Sequence, residues 1–281
     1  MTIVILGAGD LGGATARQLA VTDAARRIVL VDEAGAVAAG KALDIRQATP
    51  VEASAAAIVG TSDESAVVGA SMIVVADRHA PAPEEWQDDA GLALLRRVVA
   101  LNQAAPILCA GARQASLIER AVTELGLPRR RIFGSAPEAL RSAITAVTAL
   151  EAGCAPRDVM LMVLGRPPGL TVVPWDDASI AGRSATSALS PPALSRLEQR
   201  LPRLWPPGPL TLASAATRVV RAASTRAPQV VSAFVALLQD EGHAGRVAAL
   251  PVQVDPGGVA RLVAPSVSAR DRVRLEVALG N

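Results

Sequence analysis

The sequence predicts an α/β protein, with a doubly wound parallel sheet in its first half and a mixed α+β domain after it. Up to about residue 150, short apolar runs rich in β-branched residues alternate with segments of helical periodicity. Continuous apolar strands are typical of a parallel sheet that helices cover on both faces. Beyond that point, strand-like runs follow one another closely. We place the predicted domain boundary between residues 143 and 144.

The first half contains the alternating elements. Its predicted strands are the runs TIVIL at 2–6, RIVLVD at 27–32, SMIVVA at 71–76, PILCA at 106–110 and RIF at 131–133. Its predicted helices cover residues 11–21, 34–47, 92–101, 114–125 and 137–150.

In the second half, strands and helices no longer alternate regularly. VMLMVLG at 159–165 and LTVVP at 170–174 predict an antiparallel hairpin around the stiff turn RPPG. A helix is expected at 211–223, strands at 230–237, 246–254 and 259–265, and a closing helix at 268–279.

Composition excludes several classes of protein. Hydrophobic residues make up 51% of the 281 residues, but no apolar run reaches the roughly 20 residues of a membrane helix. The net charge of +2 is too small for a nucleic-acid footprint. Because the first predicted strand begins at residue 2, we expect no signal peptide. Cys109 and Cys154 have neither metal nor redox spacing, so we expect no metal and a cytoplasmic location.

A glycine-rich motif follows the first strand. In GAGDLG, Gly7, Gly9 and Gly12 allow a tight turn, close approach to a pyrophosphate and helix–strand packing. Asp32 ends the second strand, where a carboxylate accepts both ribose hydroxyls of NAD and repels the 2′-phosphate of NADP. The alternative is that the glycines only make a turn and Asp32 caps the next helix. We expect residues 1–143 to form the dinucleotide-binding domain.

Several segments resemble the malate/lactate dehydrogenase family. They are GAGDLGGATA, VLVDE, VLG at 163–165 and above all GKALDI at 40–45, which is similar to the family's GKALDL. PRRRIFGSA, PLTLASAATRVV and RVAALPVQVDPGGVARLV extend the resemblance over almost the whole chain. It implies a Rossmann-type first domain, a substrate-type domain at 144–281, NAD as cofactor and hydride transfer on 2-hydroxy acids.

The resemblance breaks at the catalytic positions. The family's mobile loop reads like PRKPGMSRDD, and here APAPEEWQDD at 80–89 takes its place. The family's asparagine in TNP, aspartate and arginine in GVLDSARF, and histidine in VLGGHGD are also replaced. The residues at these positions, starting with the two loop arginines, are Pro81, Gln87, Gly111, Leu140, Ala143 and, for the histidine, Pro167 or a neighbour.

The resemblance also divides the cofactor site into two parts. The adenosine half is retained, but the family's TAG reads ADR here, so Asp77 brings negative charge to the expected pyrophosphate position. Weak NAD binding or a shift to ADP-ribose-like ligands follows from that change. The candidate cofactor-binding residues are Gly7, Gly9, Asp10, Leu11, Gly12, Asp32, Ala76 and Ala110.

Three functions stay open from the sequence. The first is a pseudoenzyme with a binding or structural role, as a dimer or tetramer or paired with an active relative. The second is an active NAD-dependent oxidoreductase with a site rebuilt from Arg78, His79, Arg113 or Arg166, although these are also plausible as solvated loop charges. The third is an assembly subunit that binds no nucleotide. The apolar helix at 92–101 suits either an oligomer contact or the core.

Overall fold

The computed structural model describes residues 1–81, 84–225, 227, 229–237 and 246–280. Within these residues, no helix has the length and apolar character needed to cross a membrane.

The first half alternates strands and helices, as the sequence predicts. The strands are β1 (Thr2–Leu6), β2 (Arg27–Val31), β3 (Ala57–Thr61), β4 (Met72–Val75), β5 (Asp77–Arg78), β6 (Glu84–Glu85), β7 (Ile107–Cys109) and β8 (Ile132–Gly134). The helices are α1 (Asp10–Val21), α2 (Gly35–Ala48), α3 (Asp88–Leu101), α4 (Ala115–Leu125) and α5 (Ala136–Ala152).

The parallel sheet has the order β3-β2-β1-β4-β7-β8, which is that of a doubly wound dinucleotide-binding sheet. Its central strands are covered on both faces, so that their side chains are almost fully buried. The sequence pattern does not predict β3. This outer strand leaves Ala57 and Val59 exposed, and it therefore lacks the continuous apolar run of a buried parallel strand.

The second half extends the same sheet. Its strands are β9 (Val159–Met160), β10 (Leu164–Arg166), β11 (Leu170–Val172), β12 (Ser179–Ile180), β13 (Arg183–Ser184), β14 (Gln229–Ala236), β15 (Val247–Asp255) and β16 (Gly258–Leu262). Its helices are α6 (Ala185–Ala188), α7 (Pro191–Arg200), α8 (Pro209–Ser224) and α9 (Ala269–Leu279).

Antiparallel pairing joins the two halves. Phe234 of β14 lies opposite Gly134 of β8, and the sheet continues through β15 and β10 to β11. The predicted strand at 159–165 is divided in two. β9 joins a small sheet with β12 and β13, and β10 alone forms the hairpin with β11.

Two apolar clusters show how the halves share their interior. The larger one combines the parallel sheet and its helices with α8, β14 and β15. The smaller one lies between α5 and the segment 159–201. The predicted boundary at 143/144 falls inside α5, and it stays a prediction. In α3, Leu94, Leu95 and Val98 face the larger cluster, which favours the core explanation of that apolar helix.

A buried carboxylate ties α5 to α8 and β14. Glu138 accepts a hydrogen bond from the Ser232 N–H at 2.9 Å. Its side chain also pairs with Arg141, at 2.5 Å between Nη2 and Oε1, and with Arg218, at 2.7 Å between Nε and Oε1. Because Glu138 is only 2% exposed, these three partners supply what water would otherwise provide.

We expect Glu138→Ala to lower the free energy of unfolding by about 2–4 kcal/mol, because the Ser232 N–H loses its buried acceptor and two arginines lose their counter-charge. Urea denaturation followed by circular dichroism measures the change. Glu198→Ala is the control, since Glu198 pairs with Arg274 at a position about one third exposed; its loss should be below about 1 kcal/mol. Equal losses for the two variants would contradict the role of Glu138.

Candidate functional site

The glycine turn has the geometry that the motif predicts. Gly7 lies in the left-handed region, at φ +112°, where residues with a side chain are strained. A Cβ on Gly12 would overlap the carbonyl oxygen of Gly7, so α1 packs directly on the turn. Gly9 is the N-cap of α1 and offers no side-chain acceptor. The first N–H groups of α1 therefore need another acceptor.

Asp77 is that acceptor. Its Oδ2 accepts from the Leu11 N–H at 3.1 Å and its Oδ1 from the Gly12 N–H at 2.8 Å. The Gly9 N–H donates to the carbonyl oxygen of Asp77 at 2.9 Å. A Cβ on Gly9 would overlap the Asp77 carboxylate, so glycine here permits the close approach of a carboxylate from the same chain. Negative charge at this helix N-terminus is favourable.

Asp32 is buried at the end of β2 and is fully engaged. Its Oδ2 accepts from the Ala8 N–H at 2.7 Å and from the His79 N–H at 2.9 Å. Its Oδ1 accepts from the Ala34 N–H at 2.9 Å. The carboxylate is at the position expected for ribose recognition, but here it binds backbone groups of three loops.

A short hairpin brings these contacts together. β5 and β6 pair antiparallel, with Asp77 opposite Glu85 and Arg78 opposite Glu84, and Trp86 follows. We call β5, β6 and Trp86 the cleft hairpin. It lies at the carboxyl ends of β4 and β7, which is the edge where doubly wound sheets bind their ligands.

Glu85 anchors the far side of the cleft hairpin. Its carboxylate accepts from the Ala112 N–H at 3.0 Å and from the Arg113 N–H at 2.7 Å. A Cβ on Gly111 would overlap this carboxylate, so glycine at the position that the resemblance matches to the family's asparagine makes room for it. Burial raises the pKa of Glu85, against the opposing effect of the hydrogen bonds from Arg113 and Ala112.

Gln114 and Trp86 complete the attachment. The side chain of Gln114 accepts from the Gly111 N–H at 2.8 Å and donates to the carbonyl oxygens of Ala76 and Trp86, both at 3.1 Å. Trp86 is 5% exposed, with the Arg78 guanidinium 5.6 Å from its ring centroid. Its indole Nε1–H has no partner among the described residues.

Trp86 also borders the space beside Asp32. The cavity that remains there has a volume of about 20 Å³, which is room for about one water molecule. It is lined by residues at the ends of β1, β2 and β3 and by α3: Leu6, Gly7, Val31, Asp32, Glu33, Ser62, Glu64 and Leu94, together with Trp86.

A larger cleft of about 350 Å³ opens between the glycine turn, the cleft hairpin and the start of α8. Its charged lining consists of four carboxylates and one arginine, so the cleft is acidic. The lining residues are Asp10, Leu11, Asp77, Glu84, Glu85, Gln87, Arg113, Pro206, Pro207, Pro209 and Leu212.

The positions that the sequence resemblance matches to the family's catalytic residues lie in several environments. Gln87 lines the acidic cleft, whereas Pro81 is exposed. Leu140 is fully buried in the smaller apolar cluster and Ala143 is half-buried on the same helix. Pro167 lies in the turn between β10 and β11. That none of these positions acts in catalysis stays a prediction.

The residues considered for a rebuilt site do not form one cluster of contacts. Arg78 pairs with Glu84, and His79 is exposed, with only its backbone on Asp32. Arg113 lines the acidic cleft, and Arg166 is an exposed residue of the β10–β11 hairpin. His243, to which the sequence assigns no role, lies outside the described residues.

Sequence reasoning flagged the charge of Asp77 but missed the parts played by Glu85, Trp86 and Gln114. One signal was available for Glu85, because the loop at 80–89 carries Glu84 and Glu85 where the resembling family's loop reads like PRKPGMSRDD. No local pattern indicates Gln114 or Trp86, since their partners lie far away in the sequence.

The doubly wound sheet, the glycine turn and the carboxylate after β2 are the combination typical of a dinucleotide-binding domain. Residues 1–84 match the family described as lactate/malate dehydrogenase, NAD binding domain. The chain belongs to the malate/lactate dehydrogenase family, and the matched domain supports NAD as its cofactor.

Curated relatives support this assignment, and solved structures share the fold. The malate dehydrogenase of Thioalkalivibrio sulfidiphilus is 31% identical over 70% of this chain and 67% of its own length. The malate dehydrogenase of Thermomicrobium roseum is 28% identical over 97% of this chain and 93% of its own length. The malate dehydrogenase structure from Salinibacter ruber has a TM-score of 0.87 at 18% identity, over 100% of this chain and 94% of that one. The lactate dehydrogenase structure from Cryptosporidium parvum has a TM-score of 0.84 at 20% identity, over 99% of this chain and 94% of that one.

The local geometry fits NAD only in part. The turn glycines precede α1 and Asp32 lies at the end of β2, which is the arrangement of the dinucleotide-binding motif. A pyrophosphate does not fit beside them in this conformation, because Asp77 occupies the amide groups that would bind it.

The raised pKa of Glu85 predicts a pH effect on stability. The folded state holds this proton more tightly than the unfolded state, so the contribution of Glu85 is present below its ordinary pKa of 4.5 and is lost as the pH rises through the raised value. The stability of Glu85→Gln relative to the parent protein should therefore increase with pH over that window. Denaturation midpoints from about pH 3 to pH 7 measure it.

Glu64→Gln is the control of opposite sign. Arg97 lowers the pKa of Glu64, so its stabilising contribution is present above pH 4.5 and disappears as the pH falls through the lowered value. If Glu85→Gln follows the parent curve at every pH while Glu64→Gln departs from it as expected, the raised pKa of Glu85 is wrong.

Proposed function

We propose that this chain is a malate/lactate dehydrogenase homologue that has lost the ancestral hydride transfer and acts as a binding or structural subunit. The observation that carries the proposal is the replacement of the family's base. The turn between β10 and β11 holds Arg166, Pro167, Pro168 and Gly169, and its one charged side chain, Arg166, is exposed.

Physical chemistry makes this loss large. A positioned general acid or base contributes about 10²–10⁴ in rate. Charge stabilisation at the reacting oxygen contributes on the order of 10²–10³ more. The buried Leu140 has no carboxylate with which to orient a base, and the four carboxylates around the cleft oppose an anionic substrate.

Dinucleotide binding remains part of the proposal. The candidate residues surround one edge of the sheet. Gly7, Gly9 and Gly12 form the turn, and Asp10 and Leu11 begin α1. Asp32 ends β2, and the buried Ala76 and Ala110 follow β4 and β7. An NAD or ADP-ribose-like ligand is the class that this arrangement favours, once the amides at α1 are free.

We also propose that the chain forms a homo-oligomer in the cytoplasm. It could also assemble with a catalytically active relative. A groove of about 420 Å³ lies between α1, α2 and the start of α8. Leu210 lines it and is 75% exposed, and Leu43 on α2 is also exposed. Burial of such side chains against another subunit would be favourable. The free, unpaired cysteines Cys109 and Cys154 suit a reducing compartment.

A second candidate is an active NAD-dependent oxidoreductase with a rebuilt site. Two observations favour it: the relatives above are named malate dehydrogenases, and Arg113 lines the cleft, where it can meet a substrate carboxylate.

The experiment is NADH oxidation by the purified chain with a panel of 2-keto acids that includes oxaloacetate and pyruvate. The malate dehydrogenase of Thermomicrobium roseum is assayed in parallel. We expect kcat/KM to be at least about 10⁴-fold lower than that of the relative, because the histidine base and the arginines that would bind the substrate are both replaced. A rate within about 100-fold of the relative would reject the proposal. If Arg113→Ala then abolished that rate, the second candidate would be supported.

A further inference from the structure

We infer that the cleft hairpin is an internal pseudo-ligand, which occupies the dinucleotide site of its own chain so that NAD(H) binds only when the hairpin leaves. The inference rests on the dinucleotide binding proposed above and adds its regulation. Three contacts of the hairpin carry it, and each lies where a different part of a dinucleotide would bind.

The first contact replaces the pyrophosphate. In a doubly wound fold the phosphates bind the free N–H groups where the glycine turn meets the helix. Asp77 uses the N–H groups of Leu11 and Gly12 with both of its carboxylate oxygens. A carboxylate resembles a phosphate in charge and in accepting two N–H groups, and the two cannot share the same amides.

The second contact replaces the nucleoside. Asp32 would accept the ribose hydroxyls, but its Oδ2 already accepts the N–H of His79, which directly follows β5. Trp86 and Asp32 both line the neighbouring cavity, which has a volume of about 20 Å³. That volume is far below what a purine and ribose need, since it holds about one water molecule.

The third contact is on the opposite side, where Glu85 binds the N–H groups of Ala112 and Arg113 after β7. The cleft hairpin thus spans the carboxyl edge of the sheet from β2 to β7. This is the path along which doubly wound folds bind an extended dinucleotide.

With the cleft hairpin in the dinucleotide site, two of its interactions are unfavourable, and they would be lost if the hairpin left. The Trp86 Nε1–H is buried without a partner. Asp77 and Glu85 are directly opposite each other in β5 and β6, and both are carboxylates. These two unfavourable features lower the free energy that a ligand must supply to displace the cleft hairpin.

The first test is calorimetric titration of NADH into the parent protein, Asp77→Ala and Asp89→Ala. Asp89→Ala is the matched control, because it removes the same side chain and charge from an exposed position whose partner is Arg120. We expect Asp77→Ala to bind NADH at least about tenfold more tightly than the parent, and Asp89→Ala to bind within twofold of it. Asp32→Ala should lose binding in the Asp77→Ala background.

The second test uses the parent protein and hydrogen exchange. With saturating NADH, the amides of His79 and Trp86 should exchange faster, because they lose Asp32 and the Ala76 carbonyl as acceptors. The amides of Leu11 and Gly12 should stay protected, because phosphate replaces Asp77. Slower exchange throughout the cleft hairpin on binding would overturn the inference.

The outcomes separate this inference from the proposed function. Equal NADH affinity in the parent and Asp77→Ala overturns the pseudo-ligand and leaves the function untouched. No NADH binding by either folded protein overturns the pseudo-ligand and the retained dinucleotide binding together, and leaves the predicted lack of turnover to its own assay. If Asp77→Ala does not fold, Asp77→Asn and hydrogen exchange decide.

Discussion

The unsatisfied N–H groups at the start of α1 are the constraint on which the rest of the site depends. Gly9 supplies no capping side chain, so the helix needs an acceptor from elsewhere, and negative charge suits its N-terminus. Asp77 meets that need from the end of β4. Once this carboxylate is bound, the chain that follows must lie over the sheet edge, and the position of the cleft hairpin is a consequence.

The same solution recurs along that edge. Asp32 after β2, Asp77 after β4 and Glu85 at the end of the cleft hairpin each accept two or more backbone N–H groups. A fold that usually offers these positive positions to an anionic ligand here neutralises them with its own side chains. The remaining cleft is lined mainly by carboxylates and is therefore acidic. The N–H groups that would attract an anion are already bound to carboxylates of the same chain.

Catalytic positions and the core obey different requirements in this fold. Leu140 packs in the smaller apolar cluster, so that its position contributes to stability. The β10–β11 hairpin is held by backbone pairing of Leu164 with Val172 and of Arg166 with Leu170, with Gly165 at φ +89°. The chain shares its architecture with a malate dehydrogenase at a TM-score of 0.87 and 18% identity, so this fold tolerates wide changes of side chain.

The sequence by itself determined the fold class, the central strands, the glycine turn and the position of Asp32, because these follow from local periodicity and from glycines that no other residue can replace. Only the tertiary structure decided what fills the site. Asp77 is 66 residues from Leu11, and Glu85 is 28 residues from Arg113. Such pairs form because parallel strands bring their carboxyl ends to one edge, and no pattern along the chain records which acid will meet which amide. β3 and the continuation of the sheet through β14 were decided in the same way, by edge exposure and long-range pairing.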